Sequence, residues 1–65
     1  ATNNLVEFGY DGTGPSNTVR VNNILLLNPL NATPGSGQQG QIVCVDNGGT
    51  GELYFYDGAQ WQKII

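Results

Sequence analysis

The stretch that decides the fold is Gly40-Gln-Ile-Val-Cys-Val-Asp-Asn-Gly-Gly-Thr-Gly-Glu-Leu-Tyr-Phe-Tyr-Asp-Gly-Ala-Gln-Trp-Gln-Lys-Ile-Ile65. Short runs of β-branched and aromatic residues, which favour strands, alternate there with glycine-rich turns. We expect strands near 41–45, 52–56 and 60–65 that form an antiparallel β-meander. The stretch contains no recognisable pair of catalytic groups, so it directs the interpretation away from enzymes and toward a structural or adhesive module.

The dipeptide Asp57-Gly58 is the strongest hairpin signal of the chain. A two-residue turn at this position would pair Tyr54 with Trp61. A four-residue loop ending at Gln60 would shift the pairing by two residues and keep the faces of the strands. A three-residue loop would instead move the last strand's side chains to the opposite faces. We favour the two-residue turn.

The two faces of the predicted meander differ in chemistry. One carries aromatic and charged side chains, namely Glu52, Tyr54, Tyr56, Trp61 and Lys63. The other carries the apolar Leu53, Phe55 and Ile64 together with Gln60 and Gln62, joined either by Ile42 and Cys44 or by Val43 and Val45. A lone three-stranded sheet has no second layer to cover an apolar face, and burying each such side chain contributes about 1.5–3 kcal/mol. We therefore predict that sheets from three copies pack around a threefold axis, with an oligomer core of Ile42, Cys44, Leu53, Phe55 and Ile64.

The N-terminal part is predicted to be an extended arm over residues 1–17, and residues 18–65 are predicted to form the small β domain. The arm carries apolar residues that a neighbour would bury, namely Leu5, Val6, Phe8 and Tyr10. Glycines and a proline in Gly12–Pro15 interrupt regular structure, although residues 6–10 are compatible with extended backbone. The arm is either an anchor that becomes ordered on a partner or a frayed terminus.

The β domain is predicted to begin with strands near 18–21 and 24–27. Asn22-Asn23 lies between them, and asparagine tolerates the positive φ of tight turns. The pattern fits either a hairpin of these two segments or one bulged strand. Residues 28–41 contain two prolines and three glycines, which predicts a surface loop.

Size and charge restrict the function further. The chain has 65 residues, two basic and five acidic side chains, one cysteine and no histidine. A domain this small usually needs disulfides, a metal or partner subunits, and a single cysteine cannot close an internal disulfide. We therefore expect self-association. The lack of a basic patch argues against nucleic acid, and the lack of an apolar run of about 18 residues argues against membrane insertion.

The aromatic side chains Tyr54, Tyr56 and Trp61 form the candidate ligand face. Aromatic rings stack on sugars and on protein surfaces, so this face is a candidate for binding a host-surface glycan. The alternative is an ordinary cross-strand cluster, which stabilises a hairpin by about 0.2–1 kcal/mol per pair. Glu52 opposite Lys63 is interpreted as a surface ion pair of small energetic value.

Cys44 and the aspartates offer little chemistry. Cys44 has no histidine to act as its base, so it is interpreted as a buried, inert thiol. Asp46 and Asp57 are interpreted as turn residues whose carboxylates bond the local backbone. We predict no catalytic residue, no metal site and no cofactor.

The order of these elements resembles a module of bacteriophage fibres and head-decoration proteins. The resemblance covers roughly residues 18–65 and rests on Pro34–Gly40, Gln41-Ile42, Leu53–Tyr56, Asp57-Gly58 and Trp61. It implies a virion structural protein, usually trimeric, with an N-terminal arm that fixes it to the capsid or tail. The distal part of such fibres often meets the host surface, but this chain has neither a long shaft nor a distal head.

From this reasoning we expect an all-β, non-enzymatic homotrimer on the surface of an extracellular virus particle. It would act as a short fibre, a spike base or a decoration of larger capsid or tail proteins. The alternative is an adhesive module that binds a carbohydrate or host surface through the aromatic face. A small extracellular domain of cellular origin is a third interpretation.

Overall fold

The computed structural model describes residues 5–65, and this part of the chain is all-β without a helix, which confirms the predicted fold class. The five strands are β1 (Val6–Tyr10), β2 (Pro15–Val21), β3 (Ile42–Asn47), β4 (Thr50–Tyr56) and β5 (Trp61–Lys63). Strands β1 and β2 form a two-stranded antiparallel sheet, called the hairpin below. Strands β3, β4 and β5 form a three-stranded antiparallel sheet in sequence order, called the meander below.

The hairpin replaces most of the predicted N-terminal arm. The carboxylate of Asp11 accepts hydrogen bonds from the backbone N–H groups of Thr13 and Gly14, at 2.8 and 3.1 Å. These bonds close a turn between β1 and β2, so Gly12–Pro15 reverses the chain where we expected an interruption. The predicted boundary between residues 17 and 18 therefore falls inside β2.

The predicted strand over 24–27 is wrong. The partner of the 18–21 segment is β1, through the pairs Val6–Val21 and Phe8–Val19. The ladder reaches Asn22, whose N–H donates to the carbonyl of Leu5 at 2.8 Å, so Asn22 continues the hairpin instead of turning the chain back. Residues 24–29 lie outside any strand.

The first turn of the meander has the geometry expected for adjacent strands. Gly48 and Gly49 have φ of 62° and 91°, and a tight I′ turn needs positive φ at both central residues. The turn pairs Asn47 with Thr50, and the carboxylate of Asp46 accepts a hydrogen bond from the N–H of Gly49 at 2.8 Å.

The second connection of the meander is the four-residue loop 57–60, so the favoured two-residue turn is wrong. Tyr56 pairs with Trp61 and Tyr54 with Lys63. The Asp57 carboxylate explains the longer loop, because it accepts hydrogen bonds from the N–H groups at positions 59 and 60, at 2.8 and 2.9 Å. As anticipated for this alternative, the faces are unchanged.

The small core of the chain lies on the aromatic face of the meander. Val45, 6% exposed, is the one buried hydrophobic residue of the described chain. Leu30 forms a parallel bridge beside it, donating to Cys44 O at 2.9 Å and accepting from Asp46 N at 2.8 Å. The 28–41 segment is therefore more than a surface loop, because it folds back along β3 and onto the meander.

Candidate functional site

The strand register decides which residues share the apolar face of the meander. Ile42 pairs with Phe55, and Cys44 pairs with Leu53. Paired residues lie on the same face of a sheet, so Ile42 and Cys44 join Leu53 and Phe55, while Val43 and Val45 lie on the aromatic face. The described chain places no strand of the hairpin over this apolar face.

The C-terminal residues extend the apolar face through a β-bulge. Ile64 N and Ile65 N both approach Leu53 O, at 2.7 and 3.4 Å, and Leu53 N donates to Ile65 O at 2.7 Å. Two residues therefore oppose one, which is the defining feature of a bulge. Ile42 and Ile64 are 51% and 56% exposed, so the rim of this face is open to solvent.

A second apolar face lies on the hairpin, and sequence reasoning missed it. Val6, Phe8 and Val19 share one face through their pairing, and Phe8 is 80% exposed. The missed signal is the alternation of apolar residues at 6 and 8 with those at 19 and 21, which matches the period of a paired strand.

The four predicted anchoring residues do not form one surface. Val6 and Phe8 lie on the apolar face of the hairpin, whereas Leu5 is offset by one position and therefore alternates to the other side. Tyr10 is half-buried and lies beyond a register irregularity, opposite Pro15. Only part of the predicted anchor is thus available as a single apolar patch.

The aromatic face of the meander is engaged within the chain. The rings of Tyr56 and Trp61 pack edge to face, with centroids 4.9 Å apart and planes at 71°. Trp61 Nε1 donates to Pro34 O at 3.0 Å. A Cβ atom at Gly37 would lie 2.6 Å from Tyr56 Cδ1 and 2.9 Å from Trp61 Cζ2, so the loop backbone rests directly on both rings.

Charges on the aromatic face are paired. Lys63 Nζ lies 3.0 Å from Glu52 Oε2, and Tyr54 Oη donates to Glu52 Oε1 at 3.2 Å. The hydrogen bond from Lys63 is the largest cause of the lowered pKa of Glu52, and the same contact raises the pKa of Lys63. Desolvation is the largest cause of the raised pKa of the Tyr54 phenol, followed by its bond to Glu52.

The turn carboxylates are held in their charged forms by backbone N–H groups. The pKa of Asp57 is lowered first by the Gln60 N–H and then by the Gln62 side chain, whose Nε2 donates to Asp57 Oδ2 at 2.8 Å. The pKa of Asp11 is lowered first by the Thr13 N–H. Hydrogen bonds to a charged form favour it, so both groups act as the turn residues that we predicted for Asp57.

Within residues 5–65, no three His, Cys, Asp or Glu side chains are grouped for metal binding. The same residues enclose no pocket and include no helix long and apolar enough to cross a membrane. Cys44 is a free thiol, half-buried on the apolar face rather than enclosed.

No protein-family profile matches this chain, and neither a curated protein nor a solved structure is detectably similar to it.

Proposed function

We propose that this chain is a non-enzymatic structural subunit of a virus particle, a short fibre, spike base or decoration, that forms a homotrimer and attaches to a larger shell through its N-terminal hairpin. The observation that carries the proposal is the uncovered apolar face of the meander, formed by Ile42, Cys44, Leu53, Phe55 and Ile64.

The energetics favour association through this face. The aromatic face has the 28–41 segment as its cover, and the chain buries Val45 there. The apolar face has no comparable cover, so a monomer would leave its Leu, Phe and Ile side chains in partial contact with water. Removing each fully from water contributes about 1.5–3 kcal/mol, and a partner copy supplies the missing layer.

The position of the charged side chains also supports association through the apolar face of the meander. Glu52 and Lys63 lie on the opposite side of the meander, so a partner can cover the apolar face without burying an ion. Burying a charge without a partner would cost several kcal/mol. Depletion of charged residues is also what distinguishes the centre of protein interfaces.

The virion assignment rests on the resemblance of residues 18–65 to modules of bacteriophage fibres and head-decoration proteins. The Asp57-Gly58 turn and Trp61 belong to the meander, and the same Trp61 bonds Pro34 of the preceding Pro/Gly segment. The hairpin precedes this module and carries a separate exposed apolar patch around Phe8. No strand of the meander contacts the hairpin within the described residues, so the opposite side of the hairpin, with Glu7 and Arg20, is available for attachment on a neighbouring protein.

The test is the solution mass of the purified chain by light scattering. We expect a mass of three chains for the wild type and of one chain for Ile64→Asp, because a carboxylate at the rim of the buried face would be desolvated. Ile64 is more than half exposed in the single chain, so this substitution leaves the fold of the subunit intact. Phe55→Asp tests the centre of the same face.

Thr50→Asp is the matched control. It adds the same charge to β4, but at an exposed position on the opposite face, and the trimer should persist. A folded wild-type monomer, shown by its circular dichroism and a single-chain mass, would overturn the proposal. A trimer that survives both Ile64→Asp and Phe55→Asp would show that another surface holds it together.

A further inference from the structure

The two sheets of the chain are separate single layers. No strand of the hairpin contacts a strand of the meander within the described residues. A stable domain needs at least two packed layers around its apolar side chains. The hairpin face of Val6, Phe8 and Val19 and the apolar face of the meander therefore each lack a layer.

The two uncovered faces are chemically matched. Glu7 and Arg20 are opposite each other in the strand register on the far side of the hairpin, and Glu52 and Lys63 form an ion pair on the far side of the meander. Packing the two apolar faces together would therefore bury no charged group. The pairing would leave the polar sides of both sheets in water.

The segment between the sheets, residues 23–29, is suited to place them on different copies. It makes no backbone hydrogen bond to another residue of the described chain, and Ile24 and Leu26 are 83% and 84% exposed. Seven extended residues span about 24 Å. Neighbouring hydrogen bonds fix both ends, at Asn22 and Leu30, so the segment acts as a tether between two fixed sheets.

The surface area is sufficient for an interface between copies. The chain exposes 5120 Å², whereas a compact monomer of its mass, 6.9 kDa, exposes about 4,000 Å². The excess of roughly 1,100 Å² compares with the approximately 800 Å² that each partner buries in a standard interface. The radius of gyration of 14.7 Å likewise exceeds the roughly 11 Å of a compact domain of this length.

We infer that the apolar face of the hairpin packs on the apolar face of the meander of a second copy, with residues 23–29 crossing between the two subunits. The contact joins two different surfaces, and head-to-tail contacts of this kind close into a ring when the rotation between successive copies closes, and otherwise extend into a filament. A ring of three agrees with the proposed trimer, on which this inference rests. The opposite side of the hairpin, with Glu7 and Arg20, stays available for the shell.

Cross-linking between two single-thiol chains tests the inference. One chain is the wild type, with Cys44 on the meander face. The other is an isotopically labelled Val19→Cys, Cys44→Ser variant, whose thiol lies on the hairpin face. The chains are refolded together and treated with a short bismaleimide that spans about 10 Å, the spacing of packed sheets. Mass spectrometry then distinguishes labelled from mixed products.

A mixed product joining positions 19 and 44 is the expected result, and in the matched Glu7→Cys, Cys44→Ser variant the mixed product should fall at least tenfold. Products joining Cys44 to Cys44 alone would show that meander faces meet each other and would overturn the inference. Absence of any product would overturn it as well.

A chain carrying Val19→Cys together with native Cys44 distinguishes packing of the hairpin on another copy from packing of the hairpin on its own meander. Covalent products of two and three chains are expected from it. A cross-link within one chain at high dilution, and no larger product, would place the hairpin on its own meander and contradict the inference. Light scattering on the same samples reports the trimer independently, so the inference can fail while the proposed function stands.

Discussion

At the scale of single residues, the chain's own core depends on how closely a loop backbone approaches two rings. Gly37 lies against Tyr56 and Trp61, and the Trp61 indole N–H donates to the carbonyl of Pro34, three residues before Gly37 in the same loop. Close packing on an aromatic ring requires a flat surface, and the backbone of a glycine, which has no side chain, provides one. The loop and the rings therefore form one packed unit.

Gly37→Ala should destabilise the subunit by about 1–3 kcal/mol, the usual cost of overpacking. The new Cβ would lie 2.6 Å from Tyr56 Cδ1, so the loop must lift from the rings. Gly35→Ala is the matched control, because no atom lies within 4 Å of its Cβ position, and it should be neutral or stabilising by less than about 1 kcal/mol. Urea unfolding of both variants measures the difference, and equal unfolding midpoints would contradict the packing described for Gly37.

At the scale of elements, turn chemistry sets the pairing of both sheets. Asp11 closes the hairpin and Asp57 closes the β4–β5 loop, each by accepting backbone N–H groups. The choice of a four-residue loop over a two-residue turn shifts the Trp61 pairing from Tyr54 to Tyr56. It leaves Glu52 and Lys63 as diagonal neighbours, and they still form their ion pair at 3.0 Å.

The stability of the β4–β5 loop should decrease as the pH falls into the acid range. The folded pKa of Asp57 is lowered, so its contribution is present above its unfolded pKa of about 4 and is lost as the pH falls through the folded pKa. Asp57→Asn removes the charge. Between about pH 5 and pH 2, the unfolding midpoint of this variant should therefore fall less than that of the wild type. Thermal unfolding across this range measures the difference. Identical acid dependence in both proteins would contradict a role for the charged form.

At the scale of the whole molecule, the described chain is two thin sheets joined by an apolar tether. Its stability has a local part, from the meander and the segment packed on it. In the trimer that we propose, a second part comes from another copy, which covers the faces around Phe8 and Phe55. Binding of a partner to the folded state stabilises it by mass action.

The unfolding temperature of the wild type should consequently rise with protein concentration. A tenfold increase in concentration should raise it by several degrees, whereas the unfolding temperature of Ile64→Asp should not change. Differential scanning calorimetry over a hundredfold concentration range checks this. A concentration-independent wild-type transition would show that unfolding and dissociation are not linked.

Whether a feature of the fold could be predicted from the sequence depends on how far apart along the chain its contacting residues lie. The strands of the meander follow from alternation and from Gly48-Gly49 and Asp57-Gly58, and these signals also assign its two faces. The hairpin was missed because its partner segments lie on both sides of a Gly/Pro turn that we interpreted as an interruption. The loop length at Asp57 was missed because a side-chain hydrogen bond, and not the dipeptide itself, sets it.

The sequence by itself therefore determined the all-β class, the antiparallel meander and the sorting of Leu53 and Phe55 away from Tyr54 and Tyr56. Alternation and turn chemistry are local, so they can be read along the chain. The tertiary structure decided which face the 28–41 segment covers and that β2 pairs with β1. Those choices depend on contacts such as Leu30 with Val45 and Pro34 with Trp61, which join distant residues through their shape and leave no periodic trace in the sequence.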